Sequence, residues 1–162
     1  MLYSYRDTKY SDSRDAVILA KCAGRRVLHI GAADAPYTRE KLEAGSLLHP
    51  RIEEVAAEVV GVDVDTEAVA WLAAAGVTTI RAEPIAAIDR LAFEPEIIVF
   101  GETIEHVDDV GQAIDQLKSL LGPEAGLLIS TPNLLSFYNV VQVLRPRAPQ
   151  HPDHRVALPY GL

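Results

Sequence analysis

Two carboxylates and an imidazole fall within five positions in Glu102-Thr-Ile-Glu105-His106, a grouping able to hold and move protons near neutral pH. A second acid of interest is Asp63, which closes the run Glu58-Val-Val-Gly-Val-Asp63. A carboxylate that ends a short apolar strand is placed to accept two hydrogen bonds from a ribose diol. The simpler role for it is to cap the helix that follows over Thr66–Ala75, a role equally open to Asp65. Acids also occur in Gly31-Ala-Ala-Asp-Ala35 and in Arg81-Ala-Glu83, whereas Thr131-Pro-Asn133 has none. A crevice lined by these segments suits a cationic or hydroxyl-rich ligand better than a polyphosphate. No Gly-x-x-x-x-Gly-Lys-Ser/Thr is present, which excludes a P-loop.

The elements that must position these residues are legible as apolar runs. Arg26–Ile30, Glu58–Asp63, Gly76–Ile80, Glu96–Phe100 and Gly126–Thr131 are short, rich in Val, Ile and Leu, and mostly apolar. That pattern marks strands buried on both faces, as in a parallel sheet covered by helices. Helices alternate with them over Ser13–Ala23, Thr66–Ala75 and Asp109–Leu121. The last carries Val110, Ala113, Ile114, Leu117, Leu120 and Leu121 on one stripe and is stopped by Gly122-Pro123. Tyr37–Ala57 is longer than one crossover needs and reads as two short helices broken at Gly45-Ser46. Asn133 is placed to cap a final helix over Leu134–Leu144, ahead of a proline-rich stretch.

The implied class is α/β, an open, mostly parallel Rossmann-like sheet with helices on both faces, in a single domain over residues 1–162. Ligands of such sheets bind outside the carboxyl ends of the strands, near the point where strand order reverses. Each acidic segment named above follows one of the strands. His29 lies inside the first strand and reads as a hydrogen-bonded core histidine rather than a catalytic one.

Composition agrees with an ordinary globular domain: 162 residues, 49% hydrophobic, 23% charged, with a net charge of −8. The lone Cys22 excludes a disulfide framework and fits a reducing, cytoplasmic compartment. The apolar runs are too short to span a bilayer, and the first residues lack an apolar signal core. The acidic balance and the absence of a basic face argue against nucleic acid as a partner.

Four segments in order, Val27-Leu-His-Ile-Gly-Ala-Ala-Asp-Ala35, Val60-Gly-Val-Asp63, Ile97–His106 and Leu128-Ile-Ser-Thr-Pro-Asn133, resemble successive motifs of class I S-adenosylmethionine-dependent methyltransferases. The branch is the one with Glu-x-x-Glu-His after strand four and Thr-Pro-Asn after strand five, which includes ubiquinone-pathway O-methyltransferases (methyltransferase type 11). The resemblance covers Arg26 to Asn133, with weaker echoes to His154. It implies S-adenosylmethionine as cofactor, with S-adenosylhomocysteine as product, and divides the domain into a helical lid over residues 1–25, a cofactor core over 26–133 and a C-terminal helix and tail over 134–162. In the lid, Tyr3, Tyr5, Tyr10, Arg6 and Arg14 would cover the cofactor, or else form a partly ordered N-terminus.

Carried over by position, the resemblance places Gly31 and the backbone of Ala32 and Ala33 beneath the methionine part. Asp63 would hold the ribose, Val64 would pack on the adenine, and Gly101 and Glu102 would border the sulfonium. Glu83 would approach the adenine amino group, or remain a solvated loop acid. The acceptor implied is a small molecule, methylated at oxygen because Glu102, Glu105 and His106 offer a base, with Glu105 orienting His106, or else at nitrogen. Alternatively, Glu105 and His106 anchor the helix that begins near Asp109.

Departures from the family pattern are specific. His29, Ala33 and Ala35 stand at three places of the usual Asp-x-Gly-x-Gly-x-Gly, and alanine fits there only if φ stays negative. The interval from Gly31 to Asp63 is longer than usual. The family's sheet closes with two further strands beyond the segment matching His154–Leu162, so the sequence reads as C-terminally truncated, as completed by a partner, or as using Arg155–Tyr160 as an edge strand through which it would homodimerise. Three other functions use the same residues: a non-catalytic methyltransferase-fold module, a metal-dependent RNA 2′-O-methyltransferase using Glu102, Glu105, His106 and His154, and a Rossmann dehydrogenase. The small-molecule reading needs no metal.

Overall fold

The computed structural model describes residues 13–88 and 91–132. Five strands, β1 (Arg26–Ile30), β2 (Glu58–Asp63), β3 (Ile80–Ala82), β4 (Ile97–Gly101) and β5 (Gly126–Ser130), form one sheet in the order β3-β2-β1-β4-β5. All four pairings are parallel. Strand order reverses between β1 and β4, which pair from Val27↔Ile97 to Ile30↔Phe100. The sheet is therefore the open parallel one expected, and its crevice opens between the ends of β1 and β4.

Alternation along β1 sends side chains to two separate cores. Val27 packs with Ile18 and Cys22 of α1 (Arg14–Cys22), with Leu48 and Ile52 of α3 (Leu48–Val55), and with Val59, Ile97 and Val99. Leu28 and Ile30 face the opposite side, against Val62, Ile98, Phe100 and Leu117 of α5 (Val110–Ser119). Helices thus cover both faces, which explains why these strands lack polar alternation. α2 (Thr38–Glu43) and α3 are the two short helices expected between Tyr37 and Ala57. The Arg39 guanidinium of α2 lies 5.1 Å from the centroid of Trp71 in α4 (Thr66–Ala74).

Caps fix where the helices start. The Ser13 hydroxyl accepts from Ala16 N–H, the Asp65 carboxylate from Glu67 and Ala68 N–H, and the Asp109 carboxylate from Gln112 N–H. Asp65, not Asp63, therefore caps α4. Asp109 caps α5, so neither Glu105 nor His106 is needed for that task.

The third strand differs from expectation. Gly76 and Val77 belong to the end of α4, not to a strand: Gly76 has φ +96°, and Val77 N–H donates back to the Leu72 carbonyl at 2.9 Å. Pairing with β2 starts only at Gly61↔Ile80, which shortens β3 to Ile80–Ala82. Between β3 and β4 the alternation predicts a helix, but the described residues hold a single 3-10 turn, Ile85–Ala87. The lid residues Tyr3, Tyr5, Arg6 and Tyr10, the helix over Leu134–Leu144, His154 and the edge segment Arg155–Tyr160 lie outside the described residues. Among those described, no helix is long and apolar enough to cross a membrane.

Candidate functional site

The carboxyl ends of β1, β2 and β4 border two adjoining clefts of about 530 Å³ and 830 Å³. Gly31, Asp63, Val64, Thr103 and His106 line both and so mark where the two meet. The smaller cleft extends over Glu83, Pro84 and Ile85 toward α5. The larger one extends over Arg14, Tyr37, Gly101, Glu102 and Glu105.

Asp63 ties the loops after β1 and β2 together. Its Oδ2 accepts Ala33 N–H at 2.9 Å, and its Oδ1 accepts Asp65 N–H at 3.0 Å. Each carboxylate oxygen retains acceptor capacity for a ligand. The Val62 carbonyl accepts both Gly31 N–H at 2.9 Å and Ala32 N–H at 3.2 Å. The loop after β1 is therefore pinned to the end of β2 at three successive amides.

Gly31 is required there twice over. Its φ is +72°, and a Cβ would stand 2.1 Å from Thr103 Oγ1. Ala32 and Ala33 are 1% and 0% exposed and send their methyl groups into a core with Leu47, Val69, Leu72 and Ile80. Positive φ among the described non-glycine residues is confined to Asp34 and Glu102. Alanine at 33 and 35 is thus accommodated without left-handed backbone, as the departure from the glycine pattern demanded.

The three base candidates meet different surroundings. Glu102 adopts φ +48°, and its Oε1 lies 2.8 Å from Arg14 Nη1. Arg14 also pairs with Asp15, whose other oxygen takes Arg51 of α3 at 2.6 Å. Glu105 is 2% exposed on the 3-10 turn Ile104–His106, whereas its neighbour His106 is exposed and borders both clefts. Glu83 lines the smaller cleft with its Oε2 2.7 Å from Arg81 Nε, so it is not simply a solvated loop acid. Val64 is 72% exposed, an apolar side chain left open at the junction of the clefts.

His29 is the core histidine its position in β1 predicts, and its partner went unread in the sequence. His29 Nδ1 and His49 Nδ1 are 3.2 Å apart, so one of them donates to the other, and His49 Nε2 meets Thr79 Oγ1 at 2.9 Å. Gly61 makes room for the pair, since a Cβ there would lie 2.7 Å from His49 Cε1. Burial pushes His29 well below the ordinary imidazole value, helped by the nearby charges of His49 and Arg14, and burial alone lowers His49 to about 4. The unfolded chain therefore takes up protons that the fold refuses. Stability present above pH 6.5 is lost as pH falls toward 4, by about 3 kcal/mol for His49 alone. Urea unfolding at pH 7.5 and pH 5 is expected to show about 2 kcal/mol of this loss, and a His49→Leu variant is expected to show less of it; an unchanged stability over that interval contradicts the burial of a neutral His49.

A family model described as "Methyltransferase domain" matches residues 2–157, nearly the whole chain. The chain belongs to the methyltransferase domain family. Solved structures agree on the fold. A SAM-dependent methyltransferase from Aquifex aeolicus aligns with TM-score 0.56 at 20% identity, over 84% of this chain and 69% of that one. The YcgJ protein from Bacillus subtilis aligns with TM-score 0.53 at 19% identity, over 71% and 48%. An S-adenosylmethionine-dependent methyltransferase from Mesorhizobium loti aligns with TM-score 0.53 at 18% identity, over 74% and 51%. The chain thus spans about half the length of the last two. No curated protein matches it significantly in sequence.

In this methyltransferase-family chain, the residues singled out by sequence converge at one end of the sheet. Asp63, Val64 and Glu83 line the smaller cleft together with Gly31. Ala32, Gly101, Glu102 and Glu105 line the larger one, with His106 common to both. Ala33 touches the site only through its amide, which is already given to Asp63. Thr103, which fills the space a Gly31 side chain would take and donates to the Gly101 carbonyl at 2.9 Å, was not foreseen. Among the described residues, no group of three or more His, Cys, Asp or Glu side chains is arranged to hold a metal ion.

Proposed function

We propose that this chain binds S-adenosylmethionine across the two clefts and transfers its methyl group to an oxygen atom of a small-molecule acceptor. The observation that carries the reading is Asp63 at the end of β2, lining both clefts with open acceptor capacity beside a left-handed Gly31. The residues suit the cofactor. Asp63 would take the ribose hydroxyls, exposed Val64 would gain an adenine to pack against, and Gly31, which lines both clefts, would lie beneath the methionine part. Glu83, held by Arg81, would face the adenine side, and Gly101 and Glu102 would border the sulfonium. Ala32 and Ala33 would contribute backbone only, because their methyl groups are spent in the core.

When bound, the cofactor supplies an electrophilic methyl group on a sulfonium, so the chain's own work is alignment and proton removal. Of the three base candidates, His106 alone borders both clefts, and it is exposed where Glu105 is buried. The imidazole would take the proton of the acceptor hydroxyl, whose oxygen would receive the methyl group that the cofactor supplies, leaving S-adenosylhomocysteine. A net charge of −8 favours a small molecule over a nucleic acid as acceptor. His106→Gln is expected to lower kcat for transfer of labelled methyl to a hydroxyl acceptor by roughly 100-fold, with S-adenosylhomocysteine affinity changed less than threefold. An undiminished kcat removes His106 as the base.

A further inference from the structure

The larger cleft holds two cations among its described lining residues, and both are already engaged. Arg14 pairs with Asp15 and Glu102, and Lys41 pairs with Asp34. Its remaining carboxylates are Asp63, which accepts two backbone amides, Asp65, which caps α4, and Glu105. Glu105 differs from the others. It is 2% exposed, and its Oε2 is buried with no hydrogen-bond partner. A buried carboxylate oxygen without a donor is costly, and native structures rarely keep one without a reason. What Glu105 lacks is a donor and a positive charge, since both of those cations are committed to other carboxylates.

We propose that Glu105 is the anchor of an ammonium-binding subsite in the larger cleft, completed when a ligand's protonated amine donates to the Glu105 carboxylate. The inference rests on the methyltransferase reading for its two candidate sources: the amino-acid end of the cofactor itself, or a primary amine carried by the acceptor. An ammonium brings three donors in a compact volume and the charge that this wall lacks. A neutral hydroxyl brings one donor and no charge.

Calorimetric titrations of the wild-type chain, Glu105→Gln and Glu105→Asp test this and separate the sources. S-adenosylhomocysteine and 5′-methylthioadenosine share the nucleoside, but only the first carries an ammonium. A loss of tenfold or more in affinity for S-adenosylhomocysteine in Glu105→Gln, with methylthioadenosine within twofold and Glu105→Asp intermediate, assigns the subsite to the cofactor. If neither nucleoside responds to the substitution, phenethylamine and phenethyl alcohol are titrated into the same proteins. At least fivefold preference for the amine in wild type, abolished in Glu105→Gln, assigns the subsite to the acceptor. Indifference of every probe to the charge at Glu105 overturns the proposal. A wild-type chain that binds neither nucleoside but still prefers the amine through Glu105 refutes the cofactor reading alone. A Gln variant that fails to fold is replaced by Glu105→Asp, for which the same responses are expected at smaller size.

Discussion

Asp63→Ala is expected to weaken S-adenosylhomocysteine binding by roughly 30- to 150-fold, the equivalent of about 2–3 kcal/mol from charge-assisted hydrogen bonds to a ribose diol. The same substitution is expected to destabilise the fold by about 1–3 kcal/mol, because Ala33 is 0% exposed and its amide loses its acceptor. Two controls separate the effects. Asp65→Ala removes the cap of α4 and is expected to cost about 1 kcal/mol of stability with little change in binding. Asp63→Asn keeps an oxygen for one amide and is expected to recover part of the stability but not the affinity. Calorimetry and urea unfolding on the three variants measure both quantities. If Asp65→Ala and Asp63→Ala weaken binding alike, Asp63 has no direct contact with the ligand.

Gly31→Ala is expected to destabilise the chain by about 2–5 kcal/mol, the sum of left-handed strain and a steric conflict. The conflict is specific, since the new Cβ would lie 2.1 Å from Thr103 Oγ1 and 3.1 Å from Thr103 Cβ. Gly24 provides the comparison: its φ is +67°, but a Cβ there meets nothing within 4 Å. Gly24→Ala therefore reports the backbone strain alone, about 1–2 kcal/mol. Thr103→Ala in the Gly31→Ala background is expected to restore most of the steric part, leaving the strain and the 3.1 Å approach to the Cβ at 103, a non-additivity that a double-mutant cycle reads directly. Equal destabilisation by Gly24→Ala and Gly31→Ala contradicts the packing of the strand-end loop on Thr103. Because Gly31 and Thr103 line both clefts, the variant is also expected to lose S-adenosylhomocysteine binding more than its stability loss explains.

Much of this arrangement was legible because double burial leaves a strong mark. β1, β2 and β4 are runs of Val, Ile and Leu with acids or small residues at their ends, and helices on both faces leave no room for polar alternation. β5 is equally apolar but only partly buried, with Ile129 45% exposed. The third strand was set too early because Val77-Thr-Thr-Ile80 is β-branched throughout, while the local signal of Gly76 as a helix stop outweighs that propensity. The ends of the strands could be found from order and apolarity, so Asp63, Glu83, Gly101 and the Glu102–His106 group were found with them.

Contacts between distant segments were not legible. His49 sits in Leu48-His-Pro-Arg, where nothing local marks it as the partner of His29, twenty residues earlier. The one usable signal was Gly61 in the interior of β2, since a glycine inside a strand often marks close approach by another group. The Arg51–Asp15–Arg14–Glu102 chain joins α3, α1 and the turn after β4, three segments whose proximity only the fold establishes. The carboxylate of Glu102 could be named from sequence, but not the guanidinium that holds it. Similarly, Ala33 reads as a loss of glycine, whereas its methyl group joins that of Ala32 in a core with Leu47 and Leu72.

Titration of S-adenosylhomocysteine into the wild-type chain tests the central claim most directly, that the strand-end clefts around Asp63 form a cofactor site. Saturable binding at micromolar affinity, competed by S-adenosylmethionine and weakened roughly 30- to 150-fold in Asp63→Ala, is the predicted result. A folded sample that gives no heat with either compound, at protein and ligand concentrations up to the millimolar range, contradicts it.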